Sequence, residues 1–152
     1  MTRARTLVPA ALIALVFVAV IAGGHALAGP SHASAAPLGP GPTTVTITIE
    51  HSHFTPNQVS VRPGTTVRFV IVNHDPIGHE FIVGDAEVHR RHEAGTEPVH
   101  PPRPGEVSIP AETTAETTFD FPGTGDSTVV YACHLPGHFR YGMSGEVEIV
   151  PA

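Results

Sequence analysis

The segment TTVTITIE, Thr43–Glu50, decides the class of fold because its residues alternate between apolar and polar. Val45, Ile47 and Ile49 would share one face of a strand with threonines on the other, which is typical of a half-buried β-strand. About eight such short strands, separated by turn residues, predict an all-β sandwich or barrel. The other segments with this pattern are 59–61, 66–72, 81–83, 107–109, 117–121, 129–133 and 147–149.

The composition agrees with a fold of short strands and many turns. The chain has 152 residues, of which 16 are Pro and 15 are Gly, and it has no Trp. This composition favours turns over long helices, and the length favours one domain with appendages. Segment 85–95 is the exception because Val88 is its only β-branched residue. We expect it to form one short helix of about two or three turns.

The N-terminus has the features of an export signal. Arg3 and Arg5 precede an apolar segment at residues 7–22, which is followed by the small-residue sequence Ala26-Leu27-Ala28. A positive flank, a short apolar core and a site of small residues are typical of a secretory signal peptide. We therefore expect residues 1–28 to be a signal peptide and the protein to be exported, to the periplasm or the cell surface.

Two alternatives apply to this N-terminus. The apolar segment 7–22 is slightly shorter than the roughly 20 residues of a membrane span, but if uncleaved it would tether the protein to a membrane. Cleavage after Ala33-Ser34-Ala35 is the other alternative. Residues 29–42 are rich in Pro, Gly, Ser and Ala, which favours a flexible linker, so we expect the folded domain at 43–152.

The charge of the chain argues against nucleic acid as a partner. All eight basic residues are Arg, and the formal net charge is −6 at pH 7. Removal of residues 1–28 would leave six arginines against 14 acidic residues, a charge of −8. Nucleic-acid binding needs a basic surface, so we expect no such partner. A partner with a basic surface would suit this charge.

The segment Cys133–Met143, CHLPGHFRYGM, carries the chemistry. Cys133, His138 and Met143 recur at steps of five residues between two predicted strands, where a loop can bring three side chains to one point. The single cysteine excludes a disulfide within the chain. A thiolate, a thioether and two imidazoles form a blue-copper ligand set. In contrast, Mg²⁺ and Ca²⁺ prefer oxygen, and structural zinc sites use four Cys or His ligands.

His79 is the candidate for the second imidazole. It follows the turn-forming segment NHDPIG, residues 73–78, and precedes the apolar strand at 80–83. A distant strand can supply the ligand that the loop lacks. We therefore predict one copper ion held by His79, Cys133, His138 and Met143.

These segments resemble the cupredoxin family over about residues 43–150. The likeness lies in the loop Cys133–Met143 and in the Asn-x₅-His spacing of Asn73 and His79, and the strands that open the domain are similar too. The resemblance implies a Greek-key β-sandwich with one type 1 copper. It also implies that Asn73 braces the loop by hydrogen bonds near the cysteine and that the Gly78 carbonyl is a distant fifth contact.

The resemblance further implies that the protein carries single electrons. The family's ligand set serves both Cu(I) and Cu(II), so little has to move when an electron is transferred. In the family, the edge of the ligand that matches His138 reaches an apolar surface patch. This implies that Leu135, Pro136 and Phe139 contact a redox partner. Such contacts are small and transient, and we expect a monomer.

An enzymatic function is not expected. A copper nitrite reductase or multicopper oxidase needs a second copper centre connected through a histidine immediately before the cysteine, where this chain has Ala132. One alternative function is a periplasmic or cell-surface copper carrier or sensor that uses the same four ligands. Another is an accessory subunit of a respiratory oxidase, held at the membrane by residues 7–22.

Several further histidines lie outside the predicted site. His51 and His53 lie near a strand end, where we expect a solvated pair. His89 and His92 would share a helix face, with His100 nearby. This spacing can chelate a metal, but we expect an exposed set without one. His134 follows the ligand cysteine and is expected to point away from it, because side chains alternate along a strand.

Overall fold

The part of the chain that the computed structural model describes, residues 36–95, 99–123 and 127–151, consists mainly of short strands. One helix, α1 (Ala86–Glu93), and a short 3₁₀ helix (Phe139–Tyr141) interrupt them. The predicted all-β class and the predicted helix at 85–95 are therefore confirmed. The strands are β1 (Thr43–Glu50), β2 (His53–Thr55), β3 (Gln58–Val61), β4 (Thr66–Asn73), β5 (His79–Gly84), β6 (Glu106–Ile109), β7 (Thr114–Asp120), β8 (Ser127–Ala132) and β9 (Ser144–Ile149).

The strands form two mixed sheets that pack as a sandwich. One sheet has the order β2-β1-β4-β7 and the other the order β3-β9-β8-β5-β6. The inward residues of β1 are those that the alternation predicted, Val45, Ile47 and Ile49, and all three are buried. Aromatic rings from both sheets meet in the core, where Phe69 and Tyr131 each lie 5.1 Å from Phe81 between ring centroids.

Strand β5 is buried along its whole length because both of its faces are covered. Its inner face packs in the core, and α1 packs against the strand at Gly84. A Cβ atom at Gly84 would lie 2.7 Å from the side chain of Val88, so this close approach requires glycine. Asp85 caps α1, accepting hydrogen bonds from the backbone N–H groups of Glu87 and Val88. The cap and the contact fix the helix beside the sheet.

The folded unit begins before Thr43. The backbone N–H of Leu38 donates to the Ser60 carbonyl at 2.9 Å, and the Leu38 carbonyl accepts from Arg62 at 2.8 Å. The Leu38 side chain also packs against the core. The end of the predicted linker 29–42 is therefore docked on β3.

The predicted signal peptide, residues 1–28, and its apolar segment, residues 7–22, lie outside the described residues. Among the residues that are described, the structure contains no helix long and apolar enough to cross a membrane.

The pairing of β5, β8 and β9 places the predicted ligands at one end of the five-stranded sheet. Strands β5 and β8 are antiparallel, with Ile82 opposite Ala132, and β9 continues the sheet with Ser144 opposite the same alanine. His79 opens β5, Cys133 follows β8, and the residue that precedes β9 is Met143. These three positions therefore adjoin one another.

Candidate metal centre

Three of the four predicted ligands bring their donor atoms together. His79 Nδ1 lies 3.3 Å from His138 Nδ1, and Cys133 Sγ lies 3.3 Å from the same nitrogen. All three donor atoms lie within 4.8 Å of one another. The His79 and Cys133 side chains are buried, and His138 is half-buried. A cation can therefore be held here by three atoms at once.

The loop between β8 and β9 brings Met143 back to this cluster. The Cys133 N–H donates to the Met143 carbonyl at 3.1 Å, and the Met143 N–H donates to the His138 carbonyl at 3.0 Å. Gly142 has a φ of +93°, a conformation that favours glycine and reverses the chain after the 3₁₀ helix. Met143 is buried, and its backbone is bonded to two of the other ligands.

Asp75 orients His79, a role that the sequence analysis missed. His79 Nε2 lies 2.9 Å from Asp75 Oδ2, and the backbone N–H groups of His51 and Ser52 donate to the same carboxylate at 2.7 and 2.8 Å. Burial alone would raise the pKa of Asp75, but the bonds from Ser52, His51 and His79 together lower it below its ordinary value. The position of Asp75, four residues before His79 in the same turn, was the available signal.

The Asp75 contact also fixes which nitrogen of His79 faces the cluster. Burial lowers the pKa of His79, although the bond to Asp75 opposes this, so the ring is neutral near pH 7. A neutral ring that donates Nε2–H to a carboxylate has its lone pair on Nδ1. Nδ1 is the atom that faces His138 and Cys133, as a metal ligand requires.

The Cys133 thiol lies in an environment that disfavours the free thiolate. Burial raises its pKa to about 11, although the backbone N–H groups of Glu80 and Leu135 donate to the sulfur and offset part of this rise. A cation would supply the missing compensation, because metal ligation stabilises the deprotonated form. Two imidazoles, a thiol and a thioether are the donors that copper prefers, so these residues fit that metal.

Asn73 differs from its expected role. Its Nδ2 donates to the carbonyls of Ile77 and Pro110 at 2.8 and 3.0 Å, and its Oδ1 accepts from the Asp75 N–H at 2.9 Å. We expected it to brace the loop near the cysteine, but these bonds hold the turn that leads to His79. Asn73 can hold this turn because it is the last residue of β4 and directly precedes the turn in the chain.

Gly78 immediately precedes His79 and is exposed. Its carbonyl as a fifth contact to the metal stays a prediction.

The surface next to His138 is partly apolar. Leu135 and Phe139 are half-buried, Pro136 is exposed, and the Tyr141 side chain is 83 % exposed. Leu135, Pro136, Phe139 and Tyr141 line the same surface depression. The residues predicted to contact a partner therefore lie together, beside a ligand that reaches the surface.

The histidines outside this centre differ in burial. His51 and His53 are exposed, as expected for a solvated pair. The expectation that His89, His92 and His100 are exposed is wrong, because these side chains are buried, at 6 %, 8 % and 2 % exposure. The sequence pattern could not show that α1 and the following loop are packed against β5 and β6.

His134 points away from the cluster and into this second group of histidines. His134 Nε2 lies 2.8 Å from His89 Nδ1. Burial lowers the pKa of His134 to about 4, and the neighbouring histidines add to the effect. The ring is therefore neutral at pH 7.

Comparison with known proteins agrees with this architecture. The family model for the cupredoxin-like domain matches residues 11–106, a range that ends before the Cys133–Met143 loop. The chain is 28 % identical over 184 residues to the copper-resistant cuproprotein CopI of Pseudomonas aeruginosa, covering 97 % of this chain and 98 % of that protein. It is 34 % identical over 99 residues to the protein of the same name from Rubrivivax gelatinosus, covering 63 % of this chain and 59 % of that protein.

Solved structures show the same fold. Auracyanin B superposes with a TM-score of 0.58 at 23 % identity, covering 71 % of this chain and 88 % of auracyanin B. Auracyanin A of Chloroflexus aurantiacus, described as a blue copper protein, gives a TM-score of 0.55 at 24 % identity, covering 72 % of this chain and 99 % of its own. On the family match and the shared fold, the chain belongs to the cupredoxin-like domain family.

Proposed function

We propose that this exported protein binds one copper ion through His79, Cys133, His138 and Met143 and passes single electrons. The observation that carries the proposal is the convergence of two imidazole nitrogens on a buried thiol, with Met143 bonded into the same loop. This donor set suits copper in either oxidation state. Bound copper would supply a one-electron couple.

The contacts around the ligands keep their positions fixed. Asp75 holds His79, and it is itself held by two backbone N–H groups from the turn after β1. The Cys133–Met143 loop is closed by its own backbone hydrogen bonds. Ligands fixed in this way do not rearrange when the charge of the site changes, which favours rapid electron transfer.

His138 offers the route to a partner. It is a ligand whose side chain is half-buried, while the rest of the cluster is enclosed. The apolar surface formed by Leu135, Pro136 and Phe139 adjoins it. We infer a small, transient contact with a redox partner at this surface. The formal charge of −6 suits a partner with a basic face.

A second candidate function is copper handling in resistance. It is favoured by the names of the relatives, which are copper-resistant cuproproteins, and one of them aligns over 97 % of this chain. Such a protein would use the same four ligands. It would differ in giving copper up readily, whereas an electron carrier retains the ion through each redox cycle.

The test is to add Cu(II) to the full chain and to measure visible absorption and copper content, with Cys133→Ser and His53→Ala alongside. We expect an intense charge-transfer band that saturates with the first equivalent of copper and that a reductant bleaches reversibly. The band should be absent in Cys133→Ser and unchanged in His53→Ala, since His53 is exposed and outside the cluster. Colourless binding, or a band that survives loss of Cys133, would reject the redox site.

A further inference from the structure

A second group of donor atoms lies between α1, the loop at 99–105 and β6. His92 and His100 are buried, and the Glu106 side chain is 12 % exposed. One donor atom from each residue lies within 4.8 Å of the other two. The copper ligands described above do not belong to this group.

The hydrogen bonds of His92 aim its free nitrogen at Glu106. His92 Nδ1–H donates to the Val88 carbonyl at 2.7 Å, because a carbonyl can only accept. Nε2 is then the nitrogen that is available to a ligand, and it lies 3.7 Å from Glu106 Oε2. A backbone carbonyl that fixes the tautomer in this way is a common support for metal-binding histidines.

His100 approaches the same carboxylate oxygen from another direction. Its Nδ1 lies 3.7 Å from Glu106 Oε2, while its Nε2 lies 3.4 Å from Glu80 Oε2. Glu80 is itself held, since its Oε1 accepts the His134 N–H at 2.7 Å. The Glu80 carboxylate therefore lies beside Nε2 of His100, as the Val88 carbonyl lies beside Nδ1 of His92.

The separations suit ligands around an ion better than direct hydrogen bonds. Two ligand atoms of a tetrahedral site with bonds of about 2.0–2.2 Å lie about 3.3–3.6 Å apart. The two 3.7 Å distances to Glu106 Oε2 are close to this value and too long for hydrogen bonds. Two imidazoles with one carboxylate suit a borderline divalent ion.

Arginines hold Glu106 in the structure described here. Arg103 Nε donates to Glu106 Oε2 at 2.6 Å, and Arg91 Nη2 lies 3.4 Å from Oε1. Both arginine side chains are substantially exposed, at 42 % and 53 %. Arg103 Nη2 also lies 3.4 Å from His100 Nδ1. A cation between the histidines would replace Arg103 at both atoms, and the exposed guanidinium can move into solvent.

A buried nitrogen beside this group also lacks a partner. Among the described residues, His134 Nδ1 is the buried side-chain atom without a hydrogen-bond partner. The His134 ring stacks on His92 with centroids 5.8 Å apart. Protein contacts therefore leave one buried ring nitrogen beside His92 without a hydrogen bond.

We propose that His92, His100 and Glu106 form a second metal site that takes a borderline divalent cation of the Zn²⁺ and Cu²⁺ class. The site contains no sulfur, so it would hold its ion without the charge-transfer chemistry of the Cys133 centre. It does not depend on the proposed electron-transfer function.

The test uses Zn²⁺ alone and the full chain carrying Cys133→Ser, which removes the thiol of the first centre. Calorimetric titration is performed on this protein and on the same protein with His92→Ala, Glu106→Gln or His53→Ala added. We expect one Zn²⁺ per chain, with affinity at least tenfold weaker in His92→Ala and Glu106→Gln and unchanged in His53→Ala.

A variant that fails to fold would also lose Zn²⁺ binding, so each variant needs a folding control. Circular dichroism melting checks each variant, and Glu106→Gln preserves the size of the side chain, so it serves if His92→Ala unfolds. Equal Zn²⁺ affinity in all four proteins, or no binding in any, would overturn the proposal and leave a buried ion-pair network. The absorption test of the first centre is separate, so either site can fail alone.

Discussion

Neighbouring residues at one end of the five-stranded sheet face the two different clusters of donor atoms. His79 and Cys133 belong to the first cluster, whereas Glu80 and His134, the next residue along in each case, face the second. Since side chains alternate along an extended chain, the start of β5 and the residues that follow β8 present one chemistry on each face. This alternation allows a sulfur-containing cluster and a histidine–carboxylate cluster to adjoin without sharing a ligand.

The clusters differ in what holds their donors before a metal arrives. In the first, Asp75 and the closed loop orient the donors, and the described contacts of these donors include no arginine. In the second, Glu106 is already paired with Arg103. We therefore expect weaker metal binding at the second cluster, because a bound ion must displace the Arg103 guanidinium from Glu106.

Loss of a ligand from the first cluster should have the largest effect. We expect His79→Ala to abolish the charge-transfer band, because Cys133 and His138 would lose the nitrogen that completes the set. His74→Ala is the matched control, since His74 is exposed and lies in the same segment. Visible absorption after addition of one equivalent of Cu(II) measures both. A band of normal intensity in His79→Ala would show that another residue supplies the imidazole.

Loss of the support for His79 should have the next largest effect. Asp75→Asn keeps the shape of the side chain but removes its charge, and we expect copper affinity to fall about 10- to 100-fold with the band retained. Competition with a chelator of known affinity measures this. Asp85→Asn, which changes the cap of α1 instead, should leave the affinity unchanged. Equal affinity in Asp75→Asn and wild type would remove Asp75 from the account.

The pH dependence of metal affinity should differ between the two clusters. Burial holds the pKa of Cys133 at about 11, so the thiol is protonated at neutral pH and copper binding must release its proton. We expect copper affinity to rise about tenfold per pH unit between about pH 7 and pH 9. Zn²⁺ binding to the second cluster, which has no thiol, should rise much less. A flat copper profile would mean that the thiolate forms before the metal binds.

Removal of the Arg103 guanidinium from the second cluster should have the smallest effect on metal affinity. In the Cys133→Ser background, Arg103→Gln removes the charged contact to Glu106, and we expect Zn²⁺ affinity to rise by about two- to fivefold, the range typical of one exposed ion pair. Arg68→Gln is the matched control, because Arg68 pairs with Glu116 and not with Glu106. Weaker Zn²⁺ binding in Arg103→Gln would show that the arginine supports the site.

Much of the fold was available from the sequence because alternation reports which face of a strand is buried. Val45, Ile47 and Ile49 illustrate this, and all three lie in the core. Strand β2 was missed since His53–Thr55 is too short to show a period. The docking of Leu38 on β3 was missed because the residues around it have the composition of a linker.

Some residues of the site could also be predicted from the sequence, whereas others depend on tertiary contacts. The five-residue steps of Cys133, His138 and Met143 are visible in the sequence because one loop carries all three. The role of Asp75 is set by the turn that brings His51 and Ser52 to its carboxylate, which is a tertiary contact. The burial of His92 and His100 likewise depends on packing between separate elements, so sequence spacing alone gave the wrong expectation.

Redox cycling of the copper-loaded chain shows whether the Cys133 centre is a redox site that retains its copper. The protein is reduced and reoxidised repeatedly in the presence of a Cu(I) chelator, while absorption and protein-bound copper are measured. We expect the band to return at full intensity after each cycle, with the copper of this centre still bound. Transfer of the copper to the chelator during the first reduction would contradict it and favour the copper carrier.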